Sequence, residues 1–130
     1  MNFVILDLEW NPSYSKKLKG FINEIIEFGA IKVNSDLEII DTFSALVRPQ
    51  IGKKLNEKIT TLTHITDEDV ENGCTYTHAL SGFRKFLGDS VLMTWGITDI
   101  YVLMENTKYF LQDDRSVSYT HLTLPTKRIV

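Results

Sequence analysis

The stretch FVILDLEW, Phe3–Trp10, decides how this chain is interpreted. Its apolar, β-favouring residues predict a buried strand, in which successive side chains point to opposite faces of a sheet. This alternation places Phe3, Ile5, Asp7 and Glu9 on one face and Val4, Leu6, Leu8 and Trp10 on the other. Two carboxylates therefore share one face at the carboxyl end of the strand, about 6.6 Å apart between Cα atoms.

Further strands are predicted on either side of a polar turn. Pro12 is expected to close the first strand, and the polar stretch 11–20, with three lysines, to form an exposed loop. The β-rich runs 24–33 and 37–49 are separated by Asn34, Ser35 and Asp36, which have turn chemistry. We therefore expect these two runs to form an antiparallel hairpin.

The second half of the chain changes to helical patterns. Residues 56–62 suit a short helix, and Thr66 with Asp69 three residues later predicts the start of a helix over 66–72. Apolar residues at helical spacing predict an amphipathic helix ending near Gly88. A short strand over 90–95 and a helix over 98–111 follow, so we summarise the order as β-β-β-α-α-β-α. This order predicts an α/β fold with a mixed sheet, a three-strand antiparallel meander plus a further strand.

Bulk properties limit the classes of protein that remain. The chain has 130 residues, enough for one ordinary domain, and a formal net charge of -3 argues against an overall basic nucleic-acid coat. The lone Cys74 excludes an internal disulfide framework and favours a small, half-buried thiol in a reducing compartment. No stretch reads as a leader or a membrane span. We therefore expect a cytoplasmic protein without membrane contacts.

The acids Asp7, Glu9 and Asp99 are the candidate functional residues. Asp99 follows TWG and falls in the first turn of the last predicted helix, beyond the carboxyl end of its strand, where open sheets build their sites. Asp7 and Glu9 are equally compatible with a frayed strand end in water, and Asp99 with an acid that favours a helix start. Spacing alone leaves both alternatives open for these residues.

Four segments in order carry a family resemblance: FVILDLEW, EIIEFGAIKV, LTHITDEDVENG and VLMTWGITDIYVL. Together they resemble the DEDD-type 3′–5′ exonucleases, of the DEDDh-like kind, which have an RNase H-like fold. The resemblance covers residues 1–111. It implies a two-metal phosphodiesterase in which Asp7, Glu9 and Asp99 are catalytic and hold two Mg²⁺ or Mn²⁺ ions.

The resemblance also implies a set of substrate contacts at the 3′ end of a single-stranded nucleic acid. The expected substrate-binding residues are Leu8, Trp10, Leu62, Thr63 and His64. His64 stands where the family segment has glycine. Glu27 matches a family acid on the second strand, and it is also compatible with an ordinary polar sheet residue. Lys16, Lys17, Lys19, Lys53 and Lys54 are either phosphate contacts or solvated loop lysines.

The family's last motif, a histidine followed five residues later by an aspartate, is not found after Asp99. His121 has Thr126 at that spacing, and the His64–Asp69 pair lies upstream of Asp99, so we interpret it as coincidental. Residues 115–130 contain no acid and look foreign to the preceding sequence. We therefore predict a partial exonuclease domain over 1–114, incomplete at its C-terminus, with an atypical tail over 115–130. A chain truncated in this way should hydrolyse nucleic acid poorly.

An alternative of another class is a non-catalytic RNase H-like module that binds nucleic acid or a protein partner. A catalytic site should bind Mn²⁺ and lose it on Asp7→Asn, whereas a binding module should be indifferent to both. RNA and DNA are equally compatible with the sequence as substrates.

Overall fold

The structure is a computed structural model that describes residues 1–111. Its elements, in chain order, are β1 (Phe3–Ser15), β2 (Gly20–Val33), β3 (Ile39–Leu46), α1 (Glu57–Thr63), α2 (Asp67–Glu71), α3 (Tyr76–Leu87), β4 (Val91–Met93) and α4 (Thr98–Leu111). Three helices precede β4, whereas the predicted order β-β-β-α-α-β-α has two at this place. The predicted tail and the residues expected to follow Asp99's helix lie outside the described part.

The four strands form one sheet in the order β3-β2-β1-β4. β1, β2 and β3 pair antiparallel as a meander, and β4 pairs parallel to β1, with Phe3 opposite Val91 and Ile5 opposite Met93. A parallel neighbour requires a long crossover, which residues 47–90 and their helices supply. The predicted α/β fold with a mixed sheet is therefore confirmed.

The first hairpin is longer than predicted. β1 continues through Pro12 to Ser15, which pairs with Gly20 of β2. Pro12 is tolerated because β4 pairs with β1 only over Phe3–Ile5, which leaves the rest of β1 with an uncovered edge. Residues 11–15 therefore belong to β1 and not to the predicted loop. Three of their polar side chains are buried and hydrogen-bonded to one another or to distant segments: Asn11, Ser13 and Ser15.

The two faces of the sheet carry different helices. Val4, Leu6 and Leu8 face a core built with α3 and α4, in which Phe28 lies beside Tyr76 and Phe83. A smaller core joins Ile26 of β2 to Leu55, Ile65 and Val70, in and around α1 and α2. The carboxyl-terminal half of β1 therefore lies between these two hydrophobic cores.

The predicted start of α2 and the predicted end of α3 are confirmed. The Thr66 hydroxyl accepts a hydrogen bond from the Asp69 N–H, and the Asp69 carboxylate accepts one from the Thr66 N–H, which is the predicted capping box. α3 ends at Gly88, whose N–H donates to Arg84. Cys74 is a free, half-buried thiol as expected. In residues 1–111, no helix is both long and apolar enough to span a bilayer.

Candidate active site

Three carboxylates meet where β1 passes β2. Asp7 is exposed and Glu9 is half-buried, both on the face opposite the buried Leu8. In the antiparallel register Asp7 lies opposite Gly29 and Glu9 lies opposite Glu27. Side chains directly opposite in such a pair have Cβ atoms about 5 Å apart. Glu27 is therefore a cross-strand neighbour of Glu9, on the same face.

Asp99 reaches this group from the first turn of α4. Its Oδ2 accepts a hydrogen bond from the Leu8 N–H at 3.2 Å. This donor is available because β4 stops pairing with β1 at Ile5, three residues earlier. The carboxylate of Asp99 thus lies at the edge of β1, at the residue between Asp7 and Glu9 in sequence.

The electrostatics of these residues show that they act on one another. Burial, followed by the charges of Asp7, Glu27 and Asp99, raises the pKa of Glu9. Burial and then the charge of Asp7 raise the pKa of Glu27. Burial and the charge of Asp7 also raise the pKa of Asp99, against the lowering effect of its bond to Leu8. Asp7 is therefore the charge that all three neighbours share.

A divalent cation fits this group chemically. Four carboxylates supply only hard oxygen donors, the ligands that Mg²⁺ and Mn²⁺ prefer, and their repulsion is relieved by a positive ion. Within residues 1–111, no three His, Cys, Asp or Glu side chains already stand together as a metal site. Binding therefore requires the carboxylates to rotate toward the ion. We name Asp7, Glu9, Glu27 and Asp99 the carboxylate group.

A β-bulge beside the carboxylate group was missed from the sequence. The register of β1 and β2 shifts between Glu9 and Trp10, so that Ile26 has no partner on β1. Asn106 of α4 compensates, since its Oδ1 accepts from the Ile25 N–H at 3.0 Å and its Nδ2 donates to the Asn23 carbonyl at 2.8 Å. The available signal was that Asn106 falls at helical spacing from Val102 and Leu103, on the apolar side of α4.

The expected substrate-binding residues differ in how far they are exposed to solvent. The side chain of Leu8 is only 3% exposed and lies in the core, which differs from the expected apolar contact with a base. Contact with a nucleotide would have to come from its backbone. Trp10 is half-buried and packs against the same core, just past the bulge.

Residues Leu62, Thr63 and His64 form the C-terminal end of α1. Leu62 is 77% exposed, and the Thr63 hydroxyl donates to the Ile59 carbonyl and accepts from the Ile65 N–H. α1 begins close to β1, because the Asn56 N–H donates to the Asn11 side chain at 2.8 Å. Asp69, five residues after His64, is engaged in the cap of α2. The His64–Asp69 spacing thus has a structural explanation.

His64 adopts a left-handed backbone conformation, with φ 63° and ψ 14°, where it ends α1. This conformation costs a residue with a Cβ about 1–2 kcal/mol, which explains the glycine in the resembled segment. His64→Gly is therefore expected to raise the free energy of unfolding by about 1 kcal/mol. Chemical denaturation measures the change, with His64→Ala as the control that keeps the strain. Equal stability of the two variants would contradict this explanation.

The comparison with protein families gives one match. The model described as "Exonuclease", named RNase_T, matches residues 4–128, almost the whole chain.

Curated relatives agree with the family match. The chain is 30% identical over 111 residues to the probable 3′–5′ exonuclease KapD of Bacillus subtilis, covering 83% of this chain and 54% of that protein. It is 38% identical over 91 residues to the PolC-type DNA polymerase III of Clostridium perfringens, covering 70% of this chain and 6% of the polymerase. The chain thus spans about half of the first relative and a small part of the second.

Solved structures agree as well. The nuclease domain of 3′hExo, described as a DEDDh family member bound to rAMP, superposes with a TM-score of 0.71 at 26% identity, covering 85% of this chain and 60% of that chain. A 3′-exonuclease described with a histone mRNA stem-loop gives 0.72 at 28% identity, covering 83% and 52%. The chain belongs to the DEDD-type 3′–5′ exonuclease family, as the four sequence segments indicated.

Proposed function

We propose that this domain is a metal-dependent 3′–5′ exonuclease. It would hydrolyse phosphodiester bonds at the 3′ end of single-stranded RNA or DNA and release nucleoside 5′-monophosphates. The observation that carries the proposal is the carboxylate group, in which Asp99 is bonded to the Leu8 N–H between Asp7 and Glu9. Membership of an exonuclease family supports the reaction type.

Asp7, Glu9 and Asp99 are proposed as the catalytic metal ligands, for two Mg²⁺ or Mn²⁺ ions. Bound divalent ions supply charge neutralisation at the scissile phosphate and lower the pKa of an attacking water. The hydrogen bond from the Leu8 N–H would hold the Asp99 carboxylate at the edge of β1, beside the residues that carry the other two acids. Glu27, opposite Glu9, adds a fourth oxygen donor at the same place.

Trp10 and the segment Leu62–His64 are proposed to contact the terminal nucleotides, together with the backbone of Leu8. Leu62 is exposed and free to pack on a base, and stacking or apolar contact of this kind tolerates any sequence. One related nuclease domain has rAMP bound and another 3′-exonuclease recognises a histone mRNA stem-loop, while other relatives are DNA polymerases. We therefore propose nucleic acid of either kind, in the cytoplasm.

The 130-residue chain is expected to be a slow enzyme. Proton removal from the attacking water needs a base, and no histidine with an aspartate five residues on follows Asp99 in the sequence. The carboxylate group can still bind metal and position a 3′ end. Ion binding and cleavage are therefore best tested separately.

The test has two parts. Mn²⁺ is titrated into the protein and the free ion is measured by electron paramagnetic resonance, and cleavage of a 5′-labelled oligonucleotide is measured separately. We expect saturable binding, loss of that binding in Asp7→Asn, and slow shortening from the 3′ end. Asp36→Asn, the same chemical change in an exposed turn, is the control. Equal Mn²⁺ affinity in wild type and Asp7→Asn would reject the proposal in favour of a non-catalytic binding module.

A further inference from the structure

Two pairs of lysines that are distant in sequence line one groove beyond the carboxylate group. Lys16 and Lys17 follow the end of β1, and Lys53 and Lys54 belong to the loop that leads to α1. They border a groove of about 490 Å³, with Tyr109 of α4 at one side. Their proximity was not predicted from the sequence, which offered all four only as separate candidates for phosphate contacts.

The loop that carries Lys53 and Lys54 is held by a buried carboxylate. Glu24 is 1% exposed, and its two oxygens accept hydrogen bonds at 2.8–2.9 Å from four donors. These donors are the N–H groups of Gln50, Ile51 and Gly52 and the hydroxyl of Ser13. The backbone just before the two lysines is therefore fixed against β1 and β2.

The opposite wall is anchored to α4. The hydroxyls of Ser15 and Tyr109 are hydrogen-bonded at 3.0 Å, and the Ser15 hydroxyl accepts from the Leu18 N–H at 3.1 Å. The Lys17 ammonium lies 5.4 Å from the centre of the Tyr109 ring. Both walls are thus built on ordered elements, which reduces the entropy lost when a ligand binds.

The charge of the groove is opposite to that of the chain. Four lysines line it and, in the described part of the chain, no Asp or Glu does, although the whole chain has a net charge of -3. Glu24 lies beneath the loop with its oxygens already bonded. Concentrated positive charge in a concave surface favours an anionic ligand with several charges.

The groove and the carboxylate group are both built on β1, with the groove farther along the strand. Pro12, Ser13, Tyr14 and Ser15, the last residues of β1, line the groove. Ser15 is six residues beyond Glu9, about 20 Å along a strand. At about 3.4 Å per nucleotide, this distance corresponds to about six stacked nucleotides.

We propose that the lysine groove binds backbone phosphates of the substrate strand, about six nucleotides to the 5′ side of the terminal nucleotide. This inference rests on the proposed function, since it places the 3′ end at the carboxylate group. It adds a second site that holds a long strand while the terminal nucleotide is removed. Strands too short to reach the groove then bind without its help.

The test compares 5′-fluorescein oligonucleotides of 4 and 16 nucleotides by fluorescence anisotropy, in EDTA so that cleavage is absent. The double variant Lys53→Ala/Lys54→Ala should bind the 16-mer about tenfold more weakly than wild type in 0.1 M salt. The slope of log affinity against log salt should fall by about 1.4, since each single-strand phosphate contact contributes about 0.7. Arg84→Ala/Lys85→Ala, an equal charge loss on the exposed side of α3, is the matched control.

An equal loss in the two double variants would overturn the proposal, because it would indicate a general field rather than a site. An equal loss for the 4-mer and the 16-mer would also overturn it, because the lysines would then act at the terminal nucleotide. The assay needs neither metal nor hydrolysis. Failure of the exonuclease proposal would appear in the Mn²⁺ titration, and failure of the groove would appear here.

Discussion

Asp7→Asn should stabilise the metal-free protein at neutral pH while it removes Mn²⁺ binding. Asp7 is exposed, yet its charge raises the pKa of Glu9, Glu27 and Asp99. Removing one charge relieves three repulsive pairs, each worth a fraction of a kcal/mol after solvent screening, so the gain is on the order of 1 kcal/mol. Few substitutions of a surface acid should affect stability and ligand binding in opposite directions.

The direction of the three pKa shifts determines how the stability gained by Asp7→Asn depends on pH. Carboxylates whose pKa is raised by folding bind more protons in the folded state than in the unfolded state. Their contribution to stability is fully present below their ordinary pKa values, 4.5 for Glu9 and Glu27 and 3.8 for Asp99, and is lost as the pH rises through the raised values. Wild-type protein should therefore lose stability over this range, and Asp7→Asn should lose less.

Thermal melts of wild type, Asp7→Asn and Asp36→Asn, from pH 4 to pH 8 in EDTA, measure the effect. Asp7→Asn should melt a few degrees higher than wild type at pH 7 and close to it at pH 4. Added Mn²⁺ should stabilise the wild type and Asp36→Asn but not Asp7→Asn. A lower melting temperature for Asp7→Asn in EDTA at pH 7 would show that the carboxylates do not repel one another.

Glu24→Gln is expected to cause a large loss of stability. The carboxylate accepts bonds from three backbone N–H groups and from Ser13 in a buried setting. An amide keeps one acceptor oxygen and turns an NH₂ group toward these donors, so at least one buried N–H is left unpaired. Bonds to a charged group contribute about 1.5–3 kcal/mol each, so we expect a loss of about 3 kcal/mol or more.

Urea denaturation of Glu24→Gln, with Glu71→Gln as the control on an exposed position of α2, measures this loss. Gly52→Ala tests the same packing, since an added Cβ would lie 2.5 Å from the Ser13 Oγ, whereas Gly96→Ala meets nothing within 4 Å. Gly52→Ala should destabilise the protein by about 1–3 kcal/mol and Gly96→Ala should not. A stable Glu24→Gln protein would mean that the loop is not held as described.

Short-range patterns predicted much of this fold. The alternation of β1 placed Asp7 and Glu9 on one face, the turn residues 34–36 located the second hairpin, and the Thr66–Asp69 pair located α2. Each of these signals depends only on residues close together in sequence, so it does not change with the tertiary contacts of the chain. The position of Asp99 in the first turn of α4, beyond the carboxyl end of β4, was also predicted, from the rule that sites form there. Its hydrogen bond with the Leu8 N–H was not predicted.

Other features depend on partners far along the chain and gave no local signal. Asn11, Ser13 and Ser15 read as loop residues, because polarity usually means exposure, yet Glu24, Asn56 and Tyr109 satisfy them inside the fold. Leu8 read as a nucleotide contact, whereas α3 and α4 bury it. The β-bulge depends on Asn106, eighty-one residues from Ile25.

The most direct test of this account is a crystal structure of the full chain with Mn²⁺, using anomalous scattering to locate the ion. We predict a peak about 2.0–2.3 Å from carboxylate oxygens of Asp7 and Glu9, with the Asp99 carboxylate turned toward it. An ion elsewhere on the molecule, or an Asp99 side chain directed away from the other two acids, would contradict it.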